Sequence, residues 1–162
     1  MLEGIHKIHL IGIGGSGMRA IANILIQKGY EVSGSDVKES DVIERFRQMG
    51  ATVHIGHNAD YVQGVDAVVR STAIREDNPE IVAAKEQGIT ILHRSDIVKA
   101  VLDVTNGIAV AGAHGKTSTT SMIGQILVEG QMEPTVIIGG EVDYLKGSSC
   151  LGKGEYSVVC LL

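Results

Sequence analysis

Two glycine-rich loops, each between a β-rich run and a helical pattern, constrain the fold of this chain most strongly. The first joins a predicted strand at residues 8–13 to a predicted helix at 18–28. The second joins a predicted strand at 107–111 to a predicted helix at 116–128. A strand that enters a helix through a glycine turn places backbone N–H groups and the positive helix end at one point, where a phosphate binds. The sequence therefore predicts an α/β chain with two nucleotide-type phosphate sites.

The segments around these loops alternate between strand and helix patterns. Further strands are predicted at 30–34, 52–55, 66–69, 89–92, 135–138 and 156–159, and further helices at 41–49, 79–87 and 95–102. Such alternation indicates a mostly parallel sheet covered by helices. A second start near residue 104 predicts two units, a Rossmann-like parallel-sheet domain at 1–103 and the beginning of a further α/β domain at 104–162.

The first loop fits G-x-G-x-x-G at Gly12, Gly14 and Gly17, after a strand and at the start of a helix, as the motif requires. Asp36 ends the next predicted strand, where an acid binds a ribose hydroxyl in dinucleotide enzymes. By itself this region predicts an NAD site. The structural alternative is that the glycines only allow close helix–strand packing and that Asp36 caps the next helix.

The second loop contains Gly115-Lys116-Thr117, the end of a phosphate-binding loop of the P-loop type. In such a loop the backbone N–H groups hold phosphate oxygens, the lysine reaches the β- and γ-phosphates and the threonine hydroxyl faces Mg²⁺. The strict pattern needs glycine where Val110 stands, so this loop is a shortened variant. It predicts that the second unit is the start of an ATPase domain, and an oxidoreductase would leave it unexplained.

Composition excludes several other classes of protein. The net charge of −5 argues against a general nucleic-acid binder. The sequence contains no run of 18 apolar residues, so no membrane span is expected. The N-terminus lacks a signal-peptide pattern, and the two cysteines form no CxxC motif, so we expect a cytoplasmic protein. His54 and His57 lack the partners of a zinc site and are expected to have surface or packing roles.

At both loops the sequence resembles the Mur ligase family. The resemblance runs from about residue 6 to 159 and is carried by residues 9–18, 32–36, 71–79, 93–95, 107–120 and 136–140. Residues 12–18 fit the branch that acts on L-alanine better than the branch that recycles muramyl tripeptide. The resemblance implies an ATP-dependent ligase of peptidoglycan synthesis and cell wall biogenesis, which phosphorylates the carboxylate of UDP-N-acetylmuramate and lets the amine of L-alanine displace the phosphate.

The resemblance also implies roles for individual residues. The first loop would hold the diphosphate of the UDP-sugar, with Asp36 beside the uridine; the substrate-binding residues would be Gly12, Gly14, Gly15, Ser16, Gly17, Met18, Asp36, Ser71, Thr72, Ala73 and Arg94. The second loop would bind ATP through Gly112, Ala113, His114, Gly115, Lys116, Thr117 and Ser118. Lys116 and Thr117 would be the catalytic residues, and Thr117 would face Mg²⁺.

Two departures from the family pattern lead to further expectations. Ala113 and Ser118 stand where the family usually has threonine, a change between small residues. Residues 160–162 stand where the family places an acidic segment that helps to hold Mg²⁺. We therefore expect a truncated chain that has no ligase activity by itself, with an exposed sheet edge that favours local disorder, domain swapping or a homodimer. The alternative functions are an NAD-dependent oxidoreductase fragment and a stand-alone nucleotide-sugar-binding module.

Overall fold

The first half of the chain builds a parallel five-stranded sheet. The computed structural model describes residues 2–145 and 147–161. The strands are β1 (Lys7–Ile11), β2 (Glu31–Asp36), β3 (Thr52–Ile55), β4 (Ala67–Arg70) and β5 (Thr90–His93), in the order β3-β2-β1-β4-β5. Every neighbouring pair is parallel. This is the order of a doubly wound Rossmann-like sheet, which confirms the predicted fold class.

Four helices connect and cover these strands. They are α1 (Ser16–Gln27), α2 (Asp41–Gln48), α3 (Pro79–Glu86) and α4 (Arg94–Leu102). A short 3₁₀ turn lies at Ala59–Val62. The core between sheet and helices is almost entirely aliphatic, with Phe46 as its aromatic member. β1 is buried along its last four residues, as expected for the central strand of a sheet covered on both faces.

The second unit is a four-stranded sheet with one helix, α5 (Lys116–Glu129). Its strands are β6 (Asn106–Val110), β7 (Thr135–Val142), β8 (Gly147–Cys150) and β9 (Tyr156–Cys160), in the order β6-β9-β7-β8. β8 is antiparallel to β7, and the other pairs are parallel. β6 forms an edge of this sheet in the described part of the chain. The homodimer expected from such an edge stays a prediction.

Several elements differ from the predicted ones, and three of these differences have local reasons. β1 ends at Ile11 because Gly12 turns the chain with a left-handed φ of 73°. α1 begins at Ser16, two residues earlier than the apolar pattern indicates, because Ser16 is exposed, Gly17 is half-buried and neither has an apolar side chain to extend the pattern. β8 was not predicted at all, since its sequence, Gly-Ser-Ser-Cys, lacks the β-branched and aromatic residues of typical strands.

Helix α1 lies between the two sheets. One part of its surface belongs to the core of the first sheet. Ala20 and Ile24 instead join a separate buried cluster with Ile137 and Val159 of the second sheet. The first sheet ends at His93 and the second begins at Asn106, with α4 between them; the domain boundary at 103/104 stays a prediction. Within residues 2–145 and 147–161, no helix is long and apolar enough to cross a membrane.

Candidate functional site

A cleft of about 580 Å³ opens at the carboxyl ends of β1 and β4. These strands are neighbours in the centre of the sheet, and the chain leaves them toward β2 and β5 on opposite sides, so their ends form the switch point where ligands bind in open α/β sheets. The structure brings together here all the residues predicted to bind the sugar nucleotide: Gly12, Gly14, Gly15, Ser16, Gly17, Met18, Asp36, Ser71, Thr72, Ala73 and Arg94.

Five residues that the sequence reasoning missed also line this cleft. They are Arg19, Lys38, Glu39, Ser40 and Ile74. All five lie within four positions of a predicted site residue on the same turn or helix, so the loop positions alone could have indicated them. Arg19, the fourth residue of α1, folds its side chain back toward the glycine loop, where its Nε donates to the carbonyl of Gly14 at 2.7 Å.

The glycine loop is shaped by backbone hydrogen bonds to the end of β2. The amides of Gly12 and Ile13 donate to the carbonyl of Ser35 at 2.8 and 3.0 Å. The Gly14 amide donates to Oδ2 of Asp36 at 2.8 Å, and a Cβ on Gly14 would lie 2.9 Å from that oxygen. Oδ1 of Asp36 accepts from the Lys38 amide at 3.2 Å. Asp36 therefore shapes the loop, and its contact with a uridine stays a prediction.

The helices that begin at the two glycine loops differ from the others at their N-termini. α2, α3 and α4 are capped by the side chains of Ser40, Asn78 and His93 and carry an acidic residue in the first turn. α1 and α5 begin after Gly15 and Gly115, with no side-chain cap and no acidic residue in the first turn. Their first amides and the positive ends of their dipoles are thus left for an anion.

The second loop lies at the carboxyl end of β6. Gly115 turns the chain into α5 with a left-handed φ of 76°. Nζ of Lys116 folds back over the loop and donates to the carbonyl of Gly112 at 2.7 Å. Ala113, His114, Thr117 and Ser118 are exposed around it. A lysine held over exposed loop amides fits a nucleotide phosphate.

Residues that could hold a metal beside this loop are few. The hydroxyl of Thr117 stands on the exposed first turn of α5. In the part of the chain that the structure describes, no group of three or more His, Cys, Asp or Glu residues could hold a metal ion. Thr117 is thus the one predicted metal-facing residue, and its role stays a prediction.

A buried polar network lies behind the cleft, centred on Glu80 at the start of α3. Its Oε2 is 3.0 Å from Nε2 of His9 and accepts from the Ser35 hydroxyl at 2.7 Å. Its Oε1 is 2.9 Å from Nδ1 of His57 and accepts from the Asn58 amide at 3.3 Å. Burial by itself would raise the pKa of Glu80, but the hydrogen bonds from His9, Ser35 and His57 outweigh it and hold the pKa below its ordinary value.

The two histidines weighed as metal ligands thus have other partners. His57 belongs to the Glu80 network, and His54 stacks on Tyr61 with ring centroids 4.0 Å apart. These packing roles agree with the expectation from the sequence.

Arg94 is a cleft residue with a buried donor that lacks a partner among the described residues. It begins α4, and its side chain lines the cleft wall between the two sheets. Its Nε is buried and has no hydrogen-bond partner among the described residues. A buried donor without a partner is costly, so a bound anion that accepts from it would be stabilised.

Comparison with known proteins identifies the family. The profile described as "Mur ligase family, catalytic domain" matches residues 7–105. The chain is 46% identical over 94% of its length to UDP-N-acetylmuramate–L-alanine ligase of Desulfatibacillum aliphaticivorans. It is 47% identical over 95% of its length to the ligase of the same name from a Sulfurihydrogenibium species. The chain spans about a third of the length of these curated relatives, 34% in both cases.

Solved structures agree with this assignment. The UDP-N-acetylmuramate–alanine ligase of Thermotoga maritima superposes with a TM-score of 0.88 at 35% identity, over 94% of this chain and 36% of that one. The UDP-N-acetylmuramate:L-alanyl-γ-D-glutamyl-meso-diaminopimelate ligase of Neisseria meningitides also superposes with a TM-score of 0.88, at 27% identity over 96% of this chain and 52% of that one.

Proposed function

Because the chain belongs to the Mur ligase family, we propose that it is the sugar-nucleotide-binding part of an ATP-dependent ligase. The enzyme joins L-alanine to UDP-N-acetylmuramate in peptidoglycan synthesis. The relatives that carry this activity in their names match nearly the whole chain. With two free cysteines and no disulfide among the described residues, the protein suits the reducing cytoplasm, where we place the reaction.

The cleft at the end of β1 and β4 carries this proposal. The diphosphate lies on the uncapped N-terminus of α1, where free amides and the helix dipole meet it. The guanidinium of Arg94 donates its unpartnered Nε to an anionic oxygen of the substrate. Ser71, Thr72 and Ala73 close the opposite wall after β4 and contact the nucleotide.

The second loop would bind ATP. Lys116 leaves the Gly112 carbonyl and contacts the β- and γ-phosphates, while the amides of residues 115–118 hold their oxygens. Bound Mg²⁺ would supply further charge neutralisation, with the Thr117 hydroxyl facing it.

The muramyl carboxylate attacks the γ-phosphorus and ADP leaves. The amine of L-alanine then attacks the acyl phosphate, inorganic phosphate leaves, and one proton is released. Positioning and charge stabilisation dominate such transfers.

Two other activities fit less well. An NAD-dependent oxidoreductase would use the first loop but would leave the Lys116 loop without a role. The ligase that recycles muramyl tripeptide has the same fold, but identity is 35% to the solved alanine ligase of Thermotoga maritima and 27% to the solved tripeptide ligase of Neisseria meningitides. We therefore retain the alanine ligase.

Calorimetric titration tests the proposal. UDP-N-acetylmuramate is titrated into the chain, with NAD and Mg-ATP as parallel ligands. We expect the sugar nucleotide to bind, and Arg94→Ala to weaken it roughly 10- to 100-fold, the size of a hydrogen bond to a charged group. Lys99→Ala, an exposed cation on the same helix paired with Asp103, is the control and should bind normally. Binding of NAD in place of the sugar nucleotide would refute the proposal.

A further inference from the structure

Arg19 is the cleft residue that connects the two sheets. Its Nε donates to the carbonyl of Gly14 at 2.7 Å, and its Nη1 donates to Oε1 of Glu141 on β7 at 3.2 Å. We propose that Arg19 is a positioning residue, which fixes the glycine loop of the sugar-nucleotide cleft to the strand that contacts the ATP loop. The inference rests on the proposed function for its ligand, but the bridge itself is independent of that function.

Residues just before and just after Glu141 in the chain contact helix α5. A Cβ on Gly140 would lie 3.5 Å from Cγ2 of Thr117, so β7 runs against the first turn of α5. The Tyr144 hydroxyl donates to the carbonyl of Ser121 in the next turn at 3.0 Å. Movement of the strand at Glu141 would therefore move the contacts of the ATP loop. The bridge thus places Gly14 and Thr117 at the two ends of one short chain of contacts.

The bridge can be separated from ordinary helix packing. Two other polar residues of α1, one and two turns after Arg19, also contact the second sheet. Asn23 donates to the Ser149 carbonyl at 2.8 Å, and Gln27 accepts from the Leu151 amide at 3.0 Å. Neither lines the cleft at the glycine loop. Asn23→Ala is therefore a matched control, because it removes a contact between α1 and the second sheet without touching Gly14.

The test compares Arg19→Ala, Glu141→Ala, Arg19→Lys and Asn23→Ala in the whole chain. Without ligand, hydrogen exchange at the bonded amides of Gly14 and Gly15 should be faster in the first two variants and unchanged in Asn23→Ala. Affinity for UDP-N-acetylmuramate should fall about tenfold in Arg19→Ala, the size of one charge-assisted hydrogen bond. Arg19→Lys should remain weakened, because a lysine cannot donate to both partners in the fork geometry of arginine. The sugar nucleotide should slow exchange at residues 115–121 in the unsubstituted chain and not in Arg19→Ala or Glu141→Ala.

The results distinguish an Arg19 that positions the glycine loop from an Arg19 that only forms a surface ion pair with Glu141. Unchanged exchange at Gly14 and Gly15 in both alanine variants would overturn the proposal, as would full affinity in Arg19→Lys. An equal effect of Asn23→Ala would assign the change to loosened packing and would also overturn it. If the unsubstituted chain fails to bind the sugar nucleotide while the ligand-free exchange changes as expected, the proposed function fails and the positioning role of Arg19 stands.

Discussion

Replacing Glu80 by glutamine should destabilise the chain more than its small size change suggests. The side chain is fully buried, and its two oxygens meet donors from β1, β2 and the loop after β3. Glutamine keeps the shape but exchanges one oxygen for an NH₂ group. Whichever way the amide turns, that NH₂ takes the place of an oxygen that has two partners in the native protein: His9 and Ser35 on one side, or His57 and Asn58 on the other.

The magnitude follows from the bonds that are lost. Two hydrogen bonds to a charged group, at about 1.5 kcal/mol each, give a loss of roughly 3 kcal/mol in the free energy of unfolding. For a chain of this size, this corresponds to a decrease in Tm of about 6–12 °C. Glu86→Gln is the matched control, because Glu86 is the exposed last residue of the same helix. It should change the free energy by less than about 0.5 kcal/mol.

The pH dependence gives a second measurement of the same effect. The folded-state pKa of Glu80 lies below its ordinary value of 4.5, so its charged form stabilises the native state above that pH. This contribution is lost as the pH falls through the folded pKa. Urea unfolding of both proteins should therefore give the largest difference near pH 7 and a shrinking difference below pH 4.5. Equal Tm values for Glu80→Gln and the unsubstituted chain, or a difference that grows in acid, would refute the reasoning.

Three further substitutions test the fold and the cleft. Gly34→Ala should cost about 1–3 kcal/mol in urea unfolding, because its Cβ would lie 2.9 Å from the Leu10 carbonyl oxygen; an unchanged midpoint would contradict this packing. Asn78→Ala removes the cap of α3 and should cost about 1 kcal/mol, and a loss under 0.3 kcal/mol would argue against the cap. Gly14→Ala places a methyl group against Asp36 and should weaken binding of UDP-N-acetylmuramate at least tenfold in calorimetry, on the order of one lost hydrogen bond; normal affinity would remove the loop from the site.

The parts of the fold that could be predicted are those set by local pattern. Gly12, Gly14 and Gly17 fix a turn between a strand and a helix, and helical spacing predicts the face of α1 that packs on the first sheet. That face, with Met18, Ile21, Ala22 and Leu25, is buried as expected. The residues expected in one cleft lie together because loops at the carboxyl ends of parallel strands meet at the same edge of a sheet.

The parts that could not be predicted depend on partners far apart in the chain. Glu80 looks from its sequence like an acid placed at the start of a helix, and only the fold brings it to His9, 71 positions away. Arg19 follows the glycine motif, but its partner Glu141 is 122 positions distant. β8 has weak strand propensity and forms because β7 offers it an unpaired edge.

Helix α1 connects the two sheets through a second buried face, and this arrangement limits how the sheets can move. Ala20 and Ile24 pack against Ile137 and Val159, away from the face that packs on the first sheet. A helix buried on two faces cannot shift along or around its axis without losing contacts on both, since packed interiors leave little free volume. Its N-terminus is also the floor of the cleft. The end of α1 where we propose that the phosphate binds is therefore fixed relative to the second sheet by packing, and the proposed Arg19 bridge would hold the loop itself within that frame.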